Sequence, residues 1–162
     1  MAFALRAFFL LCGVSGLLTG VWSFPTKIRK AFNCPKDWTQ LDSYCYIYQD
    51  EVRDFADAER VCQILGGNLV SIHSDLENAV VVQVAAADEN DATEIWIGLF
   101  DTLEEDDFIW TDGSLEDFTN FLTNEPNSAN GDCVEAVLPG GGWQTRECDD
   151  ELPYVCIMEV GH

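Results

Sequence analysis

The sequence predicts an α+β domain in which two helices come early, short strands fill the remainder, and one long aperiodic loop interrupts the strands. Three observations carry this reading. Two stretches beyond residue 54 repeat their apolar residues at helical spacing. From Ile95 onward the apolar runs are short, aromatic and β-branched, which suits strands. Six of the seven cysteines, Cys34, Cys45, Cys62, Cys133, Cys148 and Cys156, lie beyond residue 33. An even set of this kind reads as a disulfide framework rather than a metal site, although composition leaves the pairing open.

The order of elements begins with a segment to be removed. Met1 to Arg6 carries one positive charge, Ala7 to Leu18 is apolar, and Val21-Trp22-Ser23 has the small-x-small pattern of a cleavage site. Residues 1–23 are therefore expected to be a secretory signal peptide, because the apolar run is well short of the roughly 20 residues that cross a bilayer. Cys12 leaves with it. Residues 24–33 form a basic arm carrying Lys27, Arg29 and Lys30, read as a lead-in with a processing site as the alternative. The folded domain is expected over 34–158, in a secreted, extracellular protein without membrane insertion.

Within that domain Tyr44 to Tyr48 reads as a strand. Asp54 precedes a helix whose buried stripe is Phe55, Ala58, Cys62 and Leu65, ended by Gly66-Gly67. Asn68 to Ile72 reads as another strand. Ser74-x-x-Glu77 is a capping box for a second helix, whose apolar positions are Leu76, Val80, Val84 and Ala85. Strands follow at Trp96 to Phe100, Phe108 to Trp110, Cys133 to Leu138 and Tyr154 to Met158. Between Ser114 and Cys133 no periodicity persists, and a connection of that length in a compact domain implies function or disorder.

Charge narrows the partners. The formal net charge of −21 becomes −22 when Arg6 is removed and −25 when Lys27, Arg29 and Lys30 are removed as well. So acidic a surface repels nucleic acid and anionic lipid. Catalytic signatures are missing too: there is no G-x-S-x-G, no H-E-x-x-H, and no histidine whose sequence position suggests a triad. His73 is read as structural, and Gly140-Gly141-Gly142 as a turn feeding Trp143. The chain is expected to bind rather than catalyse.

Taken together, Trp96-Ile97-Gly98-Leu99, Phe108-Ile109-Trp110-Thr111-Asp112-Gly113, Glu125-Pro126-Asn127, Asp132-Cys133-Val134 and Tyr154-Val155-Cys156 resemble the C-type lectin-like domain. The resemblance runs from Cys34 to Met158 and is similar to small soluble lectins of fish and venoms, which suggests a role in innate immunity. It implies two helices, two small antiparallel sheets, a long loop and three disulfides, paired Cys34–Cys45, Cys62–Cys156 and Cys133–Cys148. It also implies a core containing Trp38, Trp96, Leu99 and Trp110.

The resemblance further implies a carbohydrate site built on a loop calcium. Glu125 and Asn127 match its first two ligands around a cis Pro126, in the Glu-Pro-Asn order associated with mannose-type sugars. The rest departs from the pattern. Gly131 stands where the family has a glutamate, and Gln144-Thr145 stands after Trp143 where the family has Asn-Asp. Calcium wants six to eight oxygens, several of them charged, so an ion held mainly by Glu125 is expected to bind weakly. An auxiliary, structural calcium is suggested by Asp101, Glu105 and Asp132, with an acidic solvated loop as the alternative. Glycan recognition through the long loop is thus the leading expectation. A calcium-independent protein or microbial-surface module is second, and ice binding, known among fish relatives of this fold, is third. The sequence leaves oligomeric state open.

Overall fold

The computed structural model describes residues 33–87, 92–102 and 107–160. The signal peptide expected over 1–23, and all but the last residue of the arm, lie outside the described residues. The chain enters through a hairpin of β1 (Thr39–Leu41) and β2 (Tyr44–Arg53), closed by the Cys34–Cys45 disulfide.

Helix α1 (Phe55–Ile64) begins where Asp54 accepts the Asp57 N–H at 2.7 Å, which satisfies one of the unpaired donors of a helix start. Phe55, Ala58 and Cys62 are buried, as their spacing predicts. Leu65, expected on the same stripe, is instead the C-cap and 40% exposed, because Gly66 turns the chain away at φ 97°. Strand β3 (Asn68–Leu69) is shorter than the sequence suggests. Beyond it the chain crosses between two strands, Val70 donating to Val155 O at 2.9 Å and accepting from Gly98 N–H at 2.8 Å. That close crossing requires Gly98, where a Cβ would lie 2.7 Å from Leu69 O.

Helix α2 (Asp75–Ala86) is capped by Ser74, whose hydroxyl accepts the Glu77 N–H at 3.3 Å. Glu77 reaches back one residue further than the capping box predicts, to the His73 N–H at 2.5 Å. The buried face is Asn78, Val81 and Ala85. Val80 and Val84 are partly buried and Leu76 is 60% exposed, so the expected stripe is rotated. The reason is polar: Asn78 accepts the Trp143 indole N–H at 3.0 Å and donates to Gly141 O at 3.1 Å, an anchor that apolar periodicity does not register.

The remaining strands are β4 (Glu94–Asp101), β5 (Phe108–Trp110), β6 (Cys133–Val137), β7 (Gly142–Arg146) and β8 (Leu152–Glu159). The order is β1-β2-β8-β4-β6-β7, with β3 on β8 and β5 on β4. The two expected antiparallel groups are present, one around β2 and β8 and the other around β4, β6 and β7. They are joined into one sheet by a single parallel register, Trp96 opposite Tyr154.

Trp96, Leu99 and Trp110 are buried in the core, while Trp38 is only partly buried against it. Cys62–Cys156 ties α1 to β8 across 94 positions and Cys133–Cys148 joins β6 to the segment after β7. In the chain-entropy account the longer bridge stabilises by about 4–5 kcal/mol.

Candidate functional site

The loop from Ser114 to Cys133 lies against β7, and Trp143 is its platform. Phe118 and Phe121 pack edge-on against the Trp143 ring, each at 5.7 Å, and Trp110 does so from the core side, also at 5.7 Å. Leu122 N–H donates to Trp143 O at 2.8 Å, and Trp143 N–H to Asn120 O at 2.9 Å. A stretch without helix or strand is thereby laid along the strand that carries Gln144 and Thr145. The Glu125–Pro126 peptide is cis.

Three of the four residues expected at the primary site meet directly. Glu125 Oε2 accepts the Thr145 N–H at 3.0 Å and lies 2.8 Å from the Thr145 hydroxyl. That hydroxyl also lies 2.8 Å from Asn127 O and accepts the Asn127 N–H at 3.1 Å. One hydroxyl proton serves two acceptors, so Thr145 is a hub shared between Glu125 and the Asn127 backbone. The side-chain oxygen of Asn127 accepts the Ala129 N–H at 3.3 Å, capping the short turn Ser128–Asn130. Gln144 faces elsewhere, donating to Glu135 Oε1 at 2.5 Å.

These contacts bear on calcium. The set supplies one carboxylate, and its inner oxygen is already taken by two donors from Thr145. Gly131, at the position of the family's glutamate, has φ 119°, and a Cβ there would lie 2.3 Å from Arg146 O. The backbone itself excludes a ligand side chain. The donors at hand fall short of the six to eight oxygens that calcium wants, and do not fit a loop calcium of the sugar-bridging kind.

At the expected auxiliary site, Asp101 N–H donates to Asp132 O at 2.7 Å, which brings those two chain segments together. The Asp101 carboxylate accepts the Asp107 N–H at 3.1 Å across the turn between β4 and β5. Glu105 lies outside the described residues. Among the described residues no group of three or more His, Cys, Asp or Glu is close enough to hold a metal.

Sequence reasoning missed two clusters. The first surrounds Glu135, a wholly buried carboxylate on β6. Burial pushes its proton affinity up, and hydrogen bonds from Gln144 and Arg146 oppose this. Arg146 lies 3.0 Å from Glu135, 3.4 Å from Glu94 and 2.7 Å from Asp150, one cation among three carboxylates. Glu135, Arg146 and Asp150, with Asn130, Gln144 and Thr145, border a cleft of about 410 Å³. A lone acid between Val134 and Ala136 in an apolar strand was the available signal.

The second cluster is a relay of Asp117, His73 and Ser114. His73 Nδ1 lies 2.7 Å from Asp117 Oδ1 and Nε2 lies 3.2 Å from Ser114 Oγ. Folding brings together a constellation that no sequence spacing displays, since His73 and Asp117 are 44 positions apart. Its geometry resembles a nucleophilic triad, but its chemistry does not. Asp112 Oδ1 sits 2.6 Å from the Ser114 hydroxyl and also takes the Ser114 N–H at 2.8 Å. With the hydroxyl donating to Asp112, it is not placed to hand its proton to the histidine.

Comparison with known proteins fits this geometry. A family model described as Lectin C-type domain matches residues 51–158. A lectin of Pleurodeles waltl is 33% identical over 161 residues, covering 94% of this chain and 91% of that one. C-type mannose receptor 2 of Mus musculus is 35% identical over 126 residues, 76% of this chain, but the chain spans only 8% of that receptor's length. Among solved structures, human lithostathine superposes with a TM-score of 0.77 at 30% identity, covering 85% of this chain and 99% of that one.

Proposed function

The chain belongs to the C-type lectin domain family, and on that premise we propose that it is a secreted carbohydrate-binding protein. It recognises mannose-type sugars through Glu125, Asn127 and the neighbouring loop, without an obligatory calcium bridge. The observation that carries this reading is the Thr145 hub. By donating to Glu125 and holding the Asn127 backbone, Thr145 keeps both side chains at the loop surface by protein contacts alone. The outward oxygen of Glu125, 3.4 Å from the Asn130 amide, remains available to a sugar hydroxyl. Secretion is supported by the leader-like residues 1–23 and by three disulfides, which persist in oxidising compartments. Among the described residues no helix is long and apolar enough to cross a membrane. Asp101 and Asp132 are proposed to brace the end of β4 against the segment before β6, apart from the sugar site.

Retention on immobilised mannose tests the reading. Binding is expected to survive EDTA, to be eluted by free mannose, and to be lost in Glu125→Gln. Release by EDTA would overturn the calcium-independent part. If no sugar elutes the protein, yet loop substitutions abolish its attachment to microbial cells, the surface-interaction reading replaces the glycan one.

A further inference from the structure

His73 precedes the α2 cap by one residue, and its ring lies 5.9 Å from that of Trp110 while facing the first residues of the long loop. The protons around it can be counted. Ser114 has one hydroxyl hydrogen, and the shortest acceptor is Asp112 Oδ1 at 2.6 Å. The other oxygen of Asp112 is held by the Ser71 hydroxyl at 2.6 Å, so this carboxylate is fixed in place. A serine that donates to Asp112 offers His73 only lone pairs. Asp117 offers the opposite ring nitrogen only lone pairs as well. Both nitrogens therefore face acceptors, and only the imidazolium donates from both. A neutral ring must either leave one contact unmade or draw the Ser114 proton away from Asp112.

Among the described residues, the charged groups in contact with His73 and its serine partner are acidic. Asp117 comes from the loop, Asp112 acts through Ser114, and Glu77 of α2 takes the His73 backbone N–H. Asp117 is held below the ordinary carboxylate range, chiefly by its hydrogen bond from His73, so it stays an acceptor through mildly acidic pH.

We propose that His73 is a proton-operated pin for the near end of the binding loop. Charged, it fastens Ser114 and Asp117 to the head of α2; neutral, it releases one of them. The residue after Asp117 is Phe118, which packs on Trp143 two positions before Thr145. A neutral ring keeps its single N–H for the Asp117 carboxylate and gives up Ser114, so release frees the first residue of the loop, four positions before Phe118, and weakens sugar retention. This regulation rests on the glycan reading above. The tighter state is the one on the acid side, where the imidazole is charged.

Amide hydrogen exchange of the disulfide-intact secreted chain at pH 5.5 and pH 8, corrected for intrinsic rates, tests the pin. Protection of amides 114–118 is expected to be about tenfold greater at pH 5.5, the scale of one charge-assisted hydrogen bond. The difference should vanish in His73→Gln and in Asp117→Asn, while the β6 amides stay protected and report an intact fold. Equal protection at both pH values in the wild type, or a difference that survives His73→Gln, overturns the pin. Retention on immobilised mannose is the second readout, expected to be stronger at pH 5.5 in the wild type and pH-independent in His73→Gln. Retention at neither pH sinks the sugar reading and leaves exchange to judge the pin. A pH-dependent exchange with pH-independent retention overturns control of the site by the pin.

Discussion

The near end of the long loop, Ser114 to Asp117, is held through an imidazole set between a hydroxyl and a carboxylate, while the far end, Glu125 to Cys133, is held by a threonine hub on Glu125, a close backbone approach and a disulfide. At the near end an imidazole bridges a serine and an aspartate, with Asp112 behind. At the far end Thr145 supplies a backbone N–H and a hydroxyl, Gly131 lies flat against Arg146, and a disulfide closes the segment. Between them Trp143 carries Phe118 and Phe121. The contrast shows how a loop of this length is ordered with one short 3-10 turn as its regular structure. Each end has its own fastening, and the proposed pin acts on the near one alone.

Removing the shared platform should collapse the distinction. Trp143→Ala deletes a buried indole that both ends depend on, and a loss of about 3–5 kcal/mol is expected in urea unfolding. Loop amides at both ends should lose protection together. If only the near end loosens, the far end stands without its platform and the two-fastening picture changes.

Gly131→Glu sharpens the far end. It restores the acid that sugar-binding relatives place there, but at φ 119° and ψ 178°, a region essentially reserved for glycine. With a Cβ 2.3 Å from Arg146 O, a loss of roughly 2–3 kcal/mol is expected, and no calcium binding by calorimetry. A tight calcium isotherm with unchanged stability would show that the backbone does not exclude the ligand. Thr145→Val then removes the hub hydroxyl while keeping the shape. The part-buried Glu125 oxygen and Asn127 N–H each lose a partner, for about 1–2 kcal/mol in stability and a fall in mannose retention.

What the sequence disclosed follows the same division. Elements set by local apolar rhythm were legible: α1, the capped start of α2, the aromatic strands and, through family resemblance, all three disulfides. Glu125, Asn127, Gln144 and Thr145 were named together through the family resemblance; the structure brings three of them into contact and turns Gln144 towards Glu135. The buried face of α2 was misplaced because Asn78 is chosen for its amide, not its hydropathy. Gly131 could be recognised as a departure, but the reason for it is the approach of Arg146, a contact that only the fold creates. The His73 pin was invisible for a similar cause, since its partners come from a distant segment of the chain and none carries a motif.

The smallest expected effect lies at the near end, where neighbouring carboxylates shift in opposite directions. Glu116 is held above the ordinary carboxylate range by burial and by the charge on Asp107, whereas Asp117 is held below it by His73. A raised group adds stability at pH below its unfolded value, and that contribution is lost as pH rises through its folded value. A lowered group adds stability above its unfolded value and loses it as pH falls through its folded value. Glu116→Gln should therefore be slightly more stable than wild type at pH 7, within the ~0.5 kcal/mol range of a surface substitution, and indistinguishable from it well below pH ~4. Asp117→Asn should be less stable than wild type at pH 7 and converge with it in acid. Urea midpoints at the two pH values decide the matter. If the two substitutions move stability in the same direction at pH 7, the near end is not organised by charge, and its difference from the far end is one of packing alone.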